Sequence, residues 1–364
     1  MRLLPSSRPL RRALGAVAVL TLAGVLVLST ACSPIYVIKA GIAEAKILRG
    51  RRPIPEVILD PGTDARTRGM LTLAMEARAF AIDSLRLDVG DSYQSFTQLE
   101  SDTLAHILSG ARRDRLEPRT WWFPVVGRFP YKGYFELDDA LGAQRDMEAE
   151  GWDTYLRPTS AFSTLGWFND PLLSSLLRAD EVDLVETILH ELSHNHLFVP
   201  GQVTFNESFA MFAGRNGAAA FFCRRTGGGT DTVKCARAQA RWRDEVRFSR
   251  FLDATLDELR ALYGRTDLTS EDKIRLREGV FTAAQTRFKN AVQPTFEQLT
   301  FGYFLTQPLN NATLMATMVY YHRLYDFDAL LTQHRGDVTA AIAALKAGAE
   351  GASDAYSLLP TTAR

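Results

Sequence analysis

The chain has 364 residues, 46% of them hydrophobic, enough to bury a sizeable core in one large domain or two lobes. Lysine plus arginine equals aspartate plus glutamate at 42 each, a formal net charge of zero. That balance argues against nucleic acid or another polyanion as partner and leaves any charge preference local.

At the N-terminus, Arg2, Arg8, Arg11 and Arg12 precede an apolar run from Ala13 to Leu28, the charge pattern of an export signal. The run is shorter than the roughly 20 residues of a comfortable membrane-spanning helix. Ser29-Thr30-Ala31-Cys32 follows it directly and resembles a bacterial lipobox, with Ser29 where leucine is usual and Leu28 one place early. Residues 1–31 therefore read as a lipoprotein-type signal peptide that leaves Cys32 lipidated, and the alternative is an uncleaved anchor. Either reading tethers the body to a membrane in the cell envelope, facing the periplasm or the exterior.

Beyond the signal, Ile38 to Leu48 reads as a helix ended by Gly50-Arg51-Arg52-Pro53, and Asp64 to Leu85 as a second. Between Asp102 and Trp167 the pattern changes to short runs rich in β-branched and aromatic residues. Thr103–Leu108, Thr120–Phe129, Thr154–Leu156 and Ala161–Trp167 look like strands of a small sheet, with a helix at Asp138–Glu150 between two of them. From Asp180 onward almost everything reads helical, including a helix capped by Thr269 with Asp272 three places on. No internal repeat is visible. The expectation is an α+β, mostly α fold: an N-terminal unit over 32–180 with a small sheet, then a helical unit over 181–364.

Of the three cysteines, Cys223 and Cys235 remain if Cys32 carries lipid. They flank Thr226-Gly227-Gly228-Gly229-Thr230 and read equally as a disulfide, which an oxidising compartment allows, or as two free thiols.

The helix that opens near Asp180 carries Asp180, Glu181 and Asp183 at its start, where the helix dipole favours negative charge. Val182, Val185, Leu189 and Leu192 recur at helical spacing and face a core. His190 and His194, four residues apart, stack on one face. Zinc accepts neutral imidazole nitrogens, and Glu191 beside them suits a general base toward a metal-bound water. The run is an H-E-x-x-H zincin motif. A catalytic zinc needs a third protein ligand and one open position. After Pro200-Gly201 a second helix begins near Thr204, and Glu207 in its first turn can be aimed at both histidines if that helix folds back. The metzincin third histidine is absent, since position 200 is proline. Thr204-x-x-Glu207 is also a capping box, which leaves a second role open for Glu207. His196 points about 200° around the helix from His194, and His322 is too remote in sequence to place.

These residues resemble a bacterial aminopeptidase family of exported zinc peptidases. The resemblance rests on His190-Glu191-Leu192-Ser193-His194, on Phe205-Asn206-Glu207-Ser208-Phe209-Ala210, and on Ser163-Thr164-Leu165-Gly166-Trp167-Phe168 with Asp170-Pro171-Leu172-Leu173. It extends to Arg51-Arg52-Pro53-Ile54, Phe123-Pro124-Val125-Val126-Gly127, Tyr131-Lys132-Gly133-Tyr134-Phe135 and Leu309-Asn310-Asn311-Ala312. It implies a zincin-like fold of the gluzincin type, with one zinc per chain on His190, His194 and Glu207 and Glu191 as catalytic acid/base. Ser193 and Asn195 stand where the family pattern has alanine and glutamine, and neither is a ligand position.

The function expected is zinc-dependent hydrolysis of a peptide or protein substrate, in the first place as an aminopeptidase. A membrane-tethered endopeptidase of the envelope and a non-catalytic lipoprotein binding module are the alternatives. Tyr320, Tyr321, His322 and Arg323 on a late helix are candidate donors to the developing oxyanion, and Ala161–Trp167 is a candidate edge strand for an extended peptide. No residue stands out as the acidic anchor that an aminopeptidase needs for the substrate amine.

Overall fold

The computed structural model describes residues 41–42, 45–99, 103–123, 127–159, 170–225, 230–349 and 351–362. The export signal, Cys32 and the candidate edge strand Ala161–Trp167 lie outside them. The fold is α+β and mostly helical. In chain order it runs β1 (Arg52–Pro53), α1 (Ile54–Leu59), α2 (Ala65–Asp83), β2 (Ser95–Thr97), β3 (Ala105–Arg112), β4 (Trp121–Phe123), β5 (Gly127–Phe129), β6 (Tyr131–Tyr134), α3 (Leu137–Ala149), β7 (Trp152–Thr159) and β8 (Leu172–Leu173). The helical part follows as α4 (Glu181–His196), α5 (Val203–Arg224), α6 (Thr230–Tyr263), α7 (Ser270–Arg287), α8 (Tyr303–Thr306), α9 (Asn311–Tyr321), α10 (Leu324–Gln333) and α11 (Val338–Ala349). Among the described residues no helix is long and apolar enough to cross a membrane.

The main sheet has the order β6-β3-β7 and is antiparallel throughout, with Leu108 of β3 opposite Leu156 on one side and Lys132 on the other. The described parts of the expected run Thr120–Phe129, residues 120–123 and 127–129, do not join it. β4 and β5 fold on each other as a separate hairpin, and Gly127 enters the second strand at φ 84°, a conformation that glycine adopts without strain. Tyr131–Tyr134 takes the sheet position instead. A second small sheet, β1-β2-β8, joins segments far apart in sequence.

Helix starts follow local chemistry. The Asp64 carboxylate accepts from Thr67 N, Asp180 from Val182 N and Asp183 N, and Thr269 Oγ1 from Asp272 N, each satisfying donors that a first turn leaves free. Helix α5 is apolar nearly all round and lies in the centre of the larger core, against α4, α6, α9, α10 and α11. That core draws on both sides of residue 180, from Ile54 through Leu189 to Leu359. A second, aromatic core gathers Phe248, Phe251, Phe288, Phe301 and Phe304 between α6, α7 and the 288–304 segment, with the Phe248 and Phe301 rings stacked at 4.0 Å.

Candidate metal centre and active site

Helices α4 and α5 form a close antiparallel pair, because contacts move backward along α4 as α5 advances. Glu207 meets His190 and His194, and further on Gly214 meets Glu186. The turn between the helices is specified by two residues. Gly201 takes φ 78°, and the buried Asn206 side chain both donates to Val199 O and accepts from Val199 N, each at 2.9 Å. Close approach depends on Gly214, where an added Cβ would sit 2.7 Å from Glu186 O and 3.0 Å from His190 Cβ. Beneath the pair, a buried ion network ties α4 and α5 to α6. Arg215 contacts Glu186 and bonds Glu245 at 2.8 Å, while Arg241 bonds both oxygens of Glu186 at 3.0–3.1 Å and contacts Asp183.

On that frame Glu207 Oε2 lies 3.3 Å from His190 Nε2 and 3.6 Å from His194 Nε2, and one ligand atom from each residue falls within 4.8 Å of the others. A tetrahedral ion with bonds of about 2.0–2.1 Å sets its ligand atoms about 3.3 Å apart, so the spacing fits. Two imidazoles and a carboxylate are a donor set that could hold a metal ion. His194 Nδ1 is buried without a partner among the described residues, which leaves Nε2, facing Glu207, as the polar engagement of that ring.

The charges are mutually dependent. Burial pushes the Glu207 carboxyl up, but His194 and His190 outweigh it and hold the group far below the usual carboxylate range. Burial likewise works against a charged His194, and Glu207 reverses the balance so that its pKa rises. A divalent ion between them would take the place of those protons. Burial raises the Glu191 carboxyl, with His190 and His194 pulling it down and Glu207 and Asp170 adding to the rise.

The capping-box role for Glu207 is not what the structure has. Helix α5 starts at Val203 behind Gln202, no side chain caps it, and Thr204 already lies inside the first turn. Gln202 instead bonds Ala352 O and Ala355 N of the C-terminal segment. That frees the Glu207 carboxylate for the histidines.

Of the four candidate oxyanion donors, the structure brings Tyr320 to the cluster. Its ring stacks on His190 at 6.5 Å, and burial, with Glu207 adding to it, raises the phenol's pKa and keeps the hydroxyl protonated as a donor. Tyr321 packs into the aromatic core against Phe248. His322 and Arg323 lie past the helix, because α9 ends at Tyr321 and Arg323 breaks the chain at φ 55°. His322 Nδ1 is 2.7 Å from Asp253, and Arg323 bonds Asp326 at 2.6 Å. His196 turns away as its spacing implies and accepts from Asp88 N. Arg157, Tyr131 and Gly214 were not foreseen. Tyr131 stood in the sequence only as the first residue of the Tyr131–Phe135 segment of the family resemblance, with no role attached, and Gly214 as one of the small residues Ala210, Ala213, Gly214, Gly217 and Ala218 along α5.

Cys223 and Cys235 form a disulfide with their Cα atoms 4.8 Å apart.

Fold and site together define a mostly helical α+β protein in which two paired helices converge an HExxH histidine pair and a glutamate on a potential metal position. A family model described as "Putative aminopeptidase" matches residues 35–355, and the chain belongs to that family. Membership supports a peptidase acting on peptide substrates. No curated protein and no solved structure matches the chain.

Proposed function

We propose that the protein is a zinc-dependent aminopeptidase of the cell envelope, with His190, His194 and Glu207 as ligands and Glu191 as general base. The observation that carries this is the spacing of Glu207 Oε2 from the two imidazole nitrogens, 3.3 and 3.6 Å, on two helices that approach closely at Gly214. Zinc, when bound, supplies acidification of water and polarisation of the scissile carbonyl. Glu191 accepts the proton of the attacking water and delivers it to the leaving amine. Tyr320 donates its hydroxyl toward the carbonyl oxygen as charge develops there. The envelope location, with lipid at Cys32, is read from the signal-like residues 1–31 and the lipobox-like run ending at Cys32, and the Cys223–Cys235 disulfide fits an oxidising compartment.

Glu191→Gln is expected to retain bound zinc and lose about a thousandfold in peptide hydrolysis, within the roughly 10²–10⁴-fold that general acid–base catalysis commonly supplies. Turnover and metal content measured on the same preparation check this, and near wild-type turnover would remove Glu191 from the mechanism. Cleavage of peptides with free N-termini and not of their N-acetylated forms marks an aminopeptidase. Equal cleavage of both marks an endopeptidase.

A further inference from the structure

A cationic cavity of about 590 Å³ lies between the main sheet and α9, and among the described residues no aspartate or glutamate lines it. Tyr320, which stacks on His190, and Val203 to Phe205, the first turn of the helix that carries Glu207, form part of its wall. Arg128, Arg157 and Arg260 also face it. Arg260 already pairs with Asp257 at 2.9 Å, and Arg128 reaches Thr120 Oγ1 at 3.4 Å.

Arg128 and Arg260 are exposed, and Arg157 differs from both in its burial. It stands on β7, half-buried, and no carboxylate among the described residues pairs with it. Its contacts are the Tyr320 hydroxyl at 3.4 Å and the Tyr320 ring, 5.8 Å from the guanidinium carbon, and its other electrostatic neighbours include the phenols of Tyr155 and Tyr131. Phenols are neutral at pH 7. The protein treats its fully buried arginines otherwise: Arg241 holds Glu186 and Asp183, and Arg277 holds both oxygens of Asp153. A half-buried guanidinium left without a carboxylate is free to take one from a ligand, in the planar two-point geometry that a carboxylate offers.

We propose that Arg157 anchors a carboxylate of the bound peptide, either an acidic side chain or the free C-terminus of a short substrate. The inference rests on the peptidase reading and adds the substrate's charge and direction to it. The arginines repel a free α-amine, so the substrate's N-terminus lies away from this cavity and its carboxylate lies in it. Bound this way, an acidic or short peptide crosses the His190 side of the cluster with its chain direction fixed.

The test uses the zinc-loaded Glu191→Gln chain, so that binding is read without turnover. Calorimetry compares tetra-alanine with a free C-terminus, tetra-alanine amide, and Ala-Ala-Glu-Ala amide. One or both carboxylate-bearing peptides are expected to bind at least about tenfold more tightly than the neutral amide, and which of them does so identifies the source of the carboxylate. Adding Arg157→Gln, which keeps a donor for Tyr320 and removes the charge, is expected to abolish the ratio, the carboxylate-bearing peptides falling to the affinity of the neutral amide. A purely structural role for Arg157 would shift all three affinities together. Equal binding of the three peptides before that substitution, or a ratio that survives it, overturns the proposal. If the neutral amide binds and wild type cleaves it, that failure leaves the peptidase reading standing. No binding of any peptide, with no hydrolysis by wild type, removes both.

Discussion

His194 and His196 sit two residues apart on one helix and meet opposite surroundings. His194 faces Glu207, which raises its pKa. His196 accepts from Asp88 N at 2.9 Å and lies 3.2 Å from the Lys346 ammonium, and burial together with that cation lowers its pKa from 6.5 to about 4. A histidine held neutral in the fold stabilises it fully above its unfolded pKa of about 6.5. As pH falls from there, the unfolded chain takes up the proton first and the contribution fades until the folded group titrates near 4. His196→Gln keeps an acceptor without a proton to gain. Urea denaturation of wild type and this variant is expected to show wild type losing stability relative to it between pH 6.5 and 4, with parallel curves above pH 7. Parallel curves through the whole range would remove His196 from the pH response. At this scale the sequence was a good guide. A spacing of four put two imidazoles on one face and a spacing of two sent the third away, but nothing local to His196 pointed to Asp88 or Lys346 as its neighbours.

Helices were the more legible elements, because their signals are local. Thr269 caps as read, the helices read from Asp64 and near Asp180 begin there with those two residues as their caps, and Val182, Val185, Leu189 and Leu192 are buried as their period requires. Strand pairing was less legible. Whether Tyr131–Tyr134 or Thr120–Phe129 lies beside β3 depends on partners that no local pattern names, and β1-β2-β8 is built entirely from distant segments. The α4–α5 pair is where an element's packing bears directly on chemistry. Replacing a helix-interior glycine by alanine ordinarily gains about 1 kcal/mol, and Gly279, with nothing within 4 Å of an added Cβ, is expected to behave so. Gly214 is expected to do the reverse. Its Cβ would meet the Glu186 carbonyl at 2.7 Å, and backbone cannot step aside as a flexible side chain does. Gly214→Ala should cost about 1–3 kcal/mol and weaken metal binding by moving His190 away from Glu207. Chemical denaturation beside a metal titration checks both parts, and a stabilised variant with unchanged metal affinity would show that the helix pair tolerates separation.

Across the whole molecule, the candidate site is assembled from segments scattered along the chain. Tyr131 and Arg157 come from the sheet, the histidines and Glu207 from α4 and α5, and Tyr320 from α9. The C-terminal segment then closes over the start of α5, with Ala355 N donating to Gln202 Oε1 and the Tyr356 hydroxyl lying 3.1 Å from Ser208 Oγ, on either side of Glu207 in sequence. Such convergence is why the two-histidine motif was readable from the sequence while Tyr131 and Arg157 beside it were not: the motif lies within one helical turn, and these two come from a sheet earlier in the chain.

The central claim is that His190, His194 and Glu207 hold a catalytic metal. Zinc stoichiometry and affinity, measured on the purified body from Ser33 onward and on its Glu207→Ala variant, test it most directly. One zinc per chain in wild type, with affinity reduced at least about a hundredfold on loss of the carboxylate ligand and hydrolysis reduced with it, is the expected result. Wild type that binds no zinc, or a variant that binds it equally well, would contradict the account.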